Sequence, residues 1–425
     1  MLILLGSFLI FVVTGLPIAY GLGLSALIYF VAYHPELILV IPQRFYAGLD
    51  SELMLALPLY VLMGAMMNVG GLTTRLIDFS LLLVGRLRGG LGMVCVMSSM
   101  IISGISGSSV ADAASIGSVL IPEMEKRGYS REYAAGITVA ATTNGMIIPP
   151  SIPMVIYAFM ATESVGKLFL AAAIPGLILG LVQMVINGVI SAKRRYPVEE
   201  IRFTVTEVTS RLRKGVLPLL MPIFVIGAVV IGLTTATEAA GVGVLYAFLV
   251  GTLFYHGLKL RHIPPMLRES IMSSANVMIV TAFSGLYTWI LALEHVPDLV
   301  AALVLGLDVP VWVILLALDI IILAVGFFVD VAPAIILLTP VFLPALKSIG
   351  VSPIQFGAIL IVGMAVGLVT PPVGMCLNVV STMTKLDIVT IFRASIPFLI
   401  ADVIVLLLVT FIPALSLWLP ALLME

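Results

Sequence analysis

The chain has 425 residues, of which 61% are hydrophobic and 10% charged, with a mean hydropathy of +1.23. That composition excludes a soluble globular domain, and apolar stretches close to or above the ~20 residues needed to cross a bilayer recur along its whole length. The formal net charge of −1 says little about partners, since the charges sit in loops and at a few buried positions; the lipid bilayer is the expected surrounding and no nucleic acid partner is expected.

In chain order, the first apolar stretch begins Met-Leu-Ile-Leu-Leu without a basic region or small-residue cleavage site, so it reads as a retained span. Basic residues cluster at Arg75 to Arg88, Lys126 to Arg131, Lys193 to Lys214 and Lys259 to Arg268, which places those loops in the cytoplasm. Crossings are then expected at 2–33, 53–69, 133–162, 168–190, 215–232, 236–256, 270–292, 355–384 and 395–415, with the N-terminus inside and the C-terminus outside. The apolar runs Leu91 to Ile102 and Val110 to Ile121 do not fit that scheme. Each is about a dozen residues, roughly 18 Å as helix, too short to span. They flank "SGISGSS" and have cytoplasmic charge at both outer ends, which suggests a re-entrant hairpin over about 89–123. A similar shape, entering from outside, is expected over about 310–346 around "GFFVD".

Pro149 and Pro371 lie 222 positions apart, as do Pro122 and Pro344, Gly128 and Gly350, Gly145 and Gly367, Pro150 and Pro372, and Pro175 and Pro397. The chain therefore reads as two inverted repeats, about 1–190 and 236–425, with a connector and an extra span over 191–235. The segments "LTTRLIDFSLLLVGRLRG" and "ALEHVPDLVAALVLGLD" before the hairpins are either amphipathic arms along the membrane surface or ordinary loops with a little helix.

"TTNGMIIPPSIPMVIYA" breaks a helix in the middle of a bilayer. Pro149 leaves the carbonyl of Gly145 without a helical donor and Pro150 does the same to Met146; Pro371 and Pro372 repeat this at Gly367 and Leu368. Unpaired carbonyls in such a place cost several kcal/mol each unless something binds them. Without a carboxylate cage of the calcium kind, sodium is the expected cation, at two sites. The first is expected to use Ser103, Ser106, Asn144, Gly145 and Pro150, the second Gly326, Gly367, Thr370 and Pro372. Ser108, Ser109 and Ser151 stand at helix starts suited to a carboxylate, although small residues also serve close helix packing. Asp330, at the opposite tip, is either a substrate-site carboxylate or a cap on a neighbouring N–H. Glu238, Asp112 and Asp319 also lie at or near membrane depth, and of these Asp112 sits beside a tip.

Cys95 and Cys376 lie far apart in apolar segments, and His34, His256, His262 and His295 do not cluster, so neither a disulfide nor a metal centre is indicated. The stretch from Ala161 to Leu168 lacks the first Gly and final Ser/Thr of a nucleotide loop, and "GISGS" lacks the last Gly of a nucleophile elbow. No enzyme activity is expected. The expected class is an all-α polytopic secondary transporter with two re-entrant hairpins and two broken helices.

"SGISGSSVADAASIGSVLIPEM", "NGMIIPPSIPMVIYA", "TTATEAAGVGVLYA", "GFFVDVAPAIILLTPVFLPALKSIG" and "GLVTPPVGMCLNVVS" together resemble the large membrane subunit of tripartite ATP-independent periplasmic transporters, through nearly the whole chain. The resemblance implies a sodium-coupled importer of organic acids, typically C4-dicarboxylates or sialic acid, in the bacterial inner membrane. It also implies an elevator mechanism, a periplasmic substrate-binding protein as partner, and a separate small membrane subunit of about four helices. Where that family often has Pro before "TEAA", this chain has Ala236. A standalone sodium/carboxylate transporter is the alternative, and an ion channel or membrane hydrolase the reading from another class.

Overall fold

The computed structural model describes residues 2–196, 204–306 and 308–424, and all regular structure among them is helical. Part of the connector expected over 191–235, residues 197–203, lies outside the described residues, as does Leu307 in the second connector. Among the described residues, nine helices are long and apolar enough to cross a bilayer. They are not the nine crossings expected: Val311–Phe328 and Val331–Ser348 qualify, whereas neither 2–33 nor 355–384 forms one long helix.

The first of these differences has a local cause. Helix Leu2–Val13 stops before Gly15, whose φ of +81° suits only glycine well, and Pro17 precedes the next helix, Ile18–Tyr33. The two pack side by side, with Gly21 facing Phe8 and Phe11, so the chain reverses where a single crossing was expected. Ile18–Tyr33 packs in turn on the long helix Ile263–Leu293, and the Tyr29 hydroxyl donates to the Glu294 carboxylate just beyond that helix.

Glu52–Val69 lies along Ala236–Leu249. Tyr60 donates its hydroxyl to the Ala236 carbonyl at 3.2 Å, and Gly243 admits the Met63 thioether. Ala236 opens its helix, a position where proline is equally at home, so this chain needs no bend that a proline would supply. Glu238 is a capping residue: its carboxylate accepts from the Thr235 N–H at 2.9 Å while Thr235 accepts from the Glu238 N–H at 3.2 Å. Both segments read as arms or loops contain helices, Leu72–Val84 and Val296–Gly306. The first buries Leu72, Leu76 and Ser80 on one face and pairs Asp78 with Arg211 at 3.2 Å on another.

The first hairpin is built from Gly90–Ser106 and Ser109–Lys126, which pack on each other. These helices have 17 and 18 residues rather than about a dozen, because the first runs on through Ser103 to Ser106 and the second through the charged end from Glu123 to Lys126. Gly107, at φ +59°, and Ser108 make the whole turn. The first broken helix follows as Arg131–Ala141, a single turn Asn144–Ile147, an extended stretch and Ile152–Ala161. The second half has Val311–Phe328 and Val331–Ser348, then Pro353–Leu368, a turn, and Met375–Thr384. Here the two arms part: Val311–Phe328 packs chiefly on Pro353–Leu368 and Ile388–Phe411, while Val331–Ser348 packs on Val296–Gly306, Ile152–Ala161 and Ile263–Leu293 as well as on Pro353–Leu368.

Candidate functional site

Both tips open onto one cavity of about 410 Å³, bounded on its other side by Glu52–Val69 and Ile263–Leu293. Ser106, Ser108 and Ser109 reach it from the first tip, and Asp330 and Val331 from the second. Asn68, Glu269 and Asn276 face them across the space. Its described lining includes two carboxylates, Glu269 and Asp330, and no Lys, Arg or His.

Behind the first tip lies a carboxylate that sequence reading noticed but left without a role. Asp112 is fully buried; Ser106 donates its hydroxyl to Oδ1 at 2.5 Å and Ser103 to Oδ2 at 3.2 Å. Ser103 also donates to the Ser99 carbonyl. Gly145 packs directly on this cluster: a Cβ there would stand 2.8 Å from Asp112 Oδ2 and 2.9 Å from Ser109 Oγ. Ser109 Oγ is buried and has no hydrogen-bond partner. Ser103, Ser106, Ser109, Asp112 and Gly145 thus converge on one point.

The first break is more self-satisfied than proline accounting implied. Met146, expected to have a free carbonyl opposite Pro150, accepts the Ser151 hydroxyl at 2.5 Å. Ser151 is therefore turned into the break, and it does not line the cavity. Pro149 and Pro150 are joined by a cis peptide, and their carbonyls face the hairpin, near Gly104 and Gly107 respectively. Asn144 donates its amide to Ala141 O at 3.0 Å and to Gln183 Oε1 at 2.9 Å, while its own Oδ1 is buried and has no partner.

At the second break Gly326 and Gly367 touch through their backbones, and Val373 N–H donates to Phe327 O at 3.3 Å. The Gly367 carbonyl, expected to be free, accepts from Thr370 N–H at 3.0 Å, because the helix tightens into a short turn before the prolines. Thr370 sends its hydroxyl back to Val366 O at 2.7 Å. Pro371 and Pro372 are also joined by a cis peptide, with Pro372 exposed. Asn378, which no motif singled out, donates to Val373 O at 2.6 Å. Asp330 caps Val331 N–H at 2.8 Å and remains exposed to the cavity, so the two roles open to it in the sequence are compatible. Ser108 caps the returning helix of the first hairpin at Ala111 N–H, 3.4 Å away.

The donor-less buried oxygen of Asn144 and the buried carboxylate of Asp112 each fit a small cation better than an anion, whereas the Ser109 hydroxyl, which reaches the cavity, can also donate to an anion. Asp319, by contrast, accepts from Thr410 at 3.1 Å away from this cavity.

Nine potential spans among the described residues, with a cavity between broken helices that carries two carboxylates, define a multi-pass membrane transport protein. The family model for the tripartite ATP-independent periplasmic transporter, DctM component, matches residues 5–415, and the chain belongs to that family. The C4-dicarboxylate TRAP transporter large permease protein DctM of Pseudomonas aeruginosa is 37% identical over 94% of this chain and 93% of its own length. The sialic acid TRAP transporter large permease protein SiaM of Vibrio cholerae is 35% identical over 96% and 95%. Among solved structures, the YdaH transporter of Alcanivorax borkumensis, described as having an unusual topology, shares the fold with a TM-score of 0.60 at 16% identity, covering 90% of this chain and 88% of that one. The chain is a transport permease and not an enzyme.

Proposed function

We propose that this permease imports an organic acid anion, of the C4-dicarboxylate or sialic acid class, across the bacterial inner membrane with sodium. The observation that carries the reading is the cavity itself: its described lining holds two carboxylates and no basic side chain. An anionic substrate between such groups needs a cation, since two like charges 4 Å apart at an effective dielectric of about 20 repel by roughly 4 kcal/mol. Sodium at the first break would use Asn144 Oδ1, the Gly145 and Pro150 carbonyls, and the Ser103 and Ser106 hydroxyls. Sodium at the second would use backbone oxygens around Gly326, Gly367 and Pro372, with Thr370. Ser108, Ser109 and Asp330 would meet the substrate, while Ser151 secures the break. Each sodium moving down ~100 mV supplies about 2.3 kcal/mol before its concentration gradient is counted.

Two inverted repeats, about 1–190 and 236–425, would carry these sites in an elevator movement. Matched local geometry supports the repeat: Gly128 and Gly350 both have φ +85°, and Ser130 and Ser352 are both extended residues opening a helix. Delivery by a periplasmic binding protein and assembly with a small membrane subunit of about four helices accord with the tripartite family. A standalone sodium/carboxylate transporter is the less favoured alternative.

Uptake into liposomes tests this directly. The chain is reconstituted with and without its small subunit and binding protein, and acidic metabolites are offered at clamped membrane potential with and without a sodium gradient. Import should require both partners and the gradient. Import that ignores sodium would overturn the coupling, and import by the chain alone would favour the standalone reading.

A further inference from the structure

Asn144 has an amide whose two ends are chemically opposite: its oxygen can bind a cation and its NH2 repels one. Which end faces the first break is set by residues that do not touch that space. Gln183, on helix Val165–Arg194, and Asp402, on helix Ile388–Phe411, are fully buried beside Asn144 and lie 219 positions apart. Gln183 Nε2 donates to Asp402 Oδ1 at 2.9 Å, to Thr143 Oγ1 at 3.1 Å and to Ala140 O at 3.1 Å. Its Oε1 accepts from Asn144 Nδ2 at 2.9 Å.

We propose that Asp402 and Gln183 are positioning residues that fix the Asn144 amide with its oxygen free for a cation. The direction follows from donor and acceptor chemistry. Asp402 Oδ1 and the Ala140 carbonyl both accept here, so together they oblige Gln183 to present its NH2 and turn its oxygen the other way. That oxygen obliges Asn144 to present its own NH2, aided by the Ala141 carbonyl at 3.0 Å. Left over at the two ends are Asn144 Oδ1 and Asp402 Oδ2, both buried and without a partner, and of these Asn144 Oδ1 belongs to the break. An amide that could rotate freely would satisfy this oxygen within the protein. The polarity imposed from Asp402 keeps it unsatisfied, at a cost that a bound cation offsets.

This inference rests on Asn144 as a sodium ligand, and the test separates the two. In the assembled transporter, sodium-dependent thermal stabilisation, with choline chloride as the control salt, is measured for the wild type, Asn144→Ala, Asp402→Asn and the double variant Asp402→Asn/Gln183→Glu. An amide at 402 can donate to Gln183 as well as accept, which leaves the Ala140 carbonyl alone to impose the polarity; half-saturating sodium should rise at least threefold. The double variant moves the acceptor-only group to 183, where it accepts from Asn144 and from the amide at 402 while the Ala140 carbonyl loses its donor, and should bring sodium affinity back most of the way to that of the wild type. The rescue is the signature of orientation, because a role in packing alone would not be restored by exchanging the carboxylate between helices.

An unchanged sodium requirement in Asp402→Asn, with Asn144→Ala impaired, would overturn the relay and leave the sodium reading standing. Failure of the double variant to recover would reduce both residues to packing and likewise overturn it. No effect of Asn144→Ala would remove the ligand and the relay together. If Asp402→Asn does not assemble, Gln183→Met carries the test, with the same threefold rise expected and an unchanged requirement overturning the proposal.

Discussion

Gly326 and Gly367 meet backbone to backbone: a Cβ built on Gly367 would stand 2.6 Å from Gly326 Cα. This is the place where the second tip rests on the second break, and no side chain separates them. Gly367→Ala should force the two apart, at a cost of about 1 to 3 kcal/mol for overpacking. Transport should fall at least tenfold and the thermal midpoint should drop. Gly227→Ala, where a Cβ would meet nothing within 4 Å, serves as the control and should leave both unchanged.

Asp330→Asn separates charge from capping. Asparagine caps a helix about as well as aspartate, so Val331 N–H stays satisfied and stability should shift by less than about 0.5 kcal/mol. Uptake should nevertheless fall more than tenfold, because the cavity loses one of its two carboxylates. Full uptake by a stable Asp330→Asn protein would confine this residue to its capping role.

Asp112→Ala removes the acceptor of two buried hydroxyls, Ser103 and Ser106. Ser103 keeps the Ser99 carbonyl, but the Ser106 hydroxyl is left without its acceptor, which costs about 1 to 3 kcal/mol, so a drop in the thermal midpoint is expected. Excess sodium should recover less of that loss than it stabilises the wild type, if the carboxylate contributes to the cation's surroundings. Equal sodium stabilisation in the two proteins would make Asp112 purely structural.

Thr235→Ala should do the reverse of Gly367→Ala. Losing this capping box costs about 1 kcal/mol of stability at a residue that does not line the cavity, and transport by the folded fraction should be unaltered in sodium dependence and substrate preference.

The breaks and tips were legible because proline and glycine announce themselves through what they cannot do. Pro149 and Pro371 lack an N–H, and Gly107 accepts a left-handed backbone that other residues resist. What filled the resulting gaps was not legible. Whether Ser151 or a bound ion satisfies Met146 O depends on the course of the chain over five residues, and that course is decided by packing. Asp112 stands out in the sequence by its place beside a tip, but nothing there tells that the Ser103 and Ser106 hydroxyls turn toward it. Gln183 and Asp402 carry no motif at all, since their partnership exists only across the folded interior. The reversal at Gly15 and Pro17 escaped for a different reason: an apolar run long enough to span hides a short interruption when only average hydropathy is read.

The parting of the two arms at the second tip gives Val329 and Asp330 a mechanical position. One arm packs on the second broken helix and Ile388–Phe411, the other mainly on Val296–Gly306 and Ile152–Ala161, and both linking residues are extended, with φ of −115° and −65°. About four soft torsions are all the chain has there to absorb a change of angle between the arms. Two of them belong to Asp330, whose carboxylate faces the cavity, so any change in that angle would be felt where the cavity is lined.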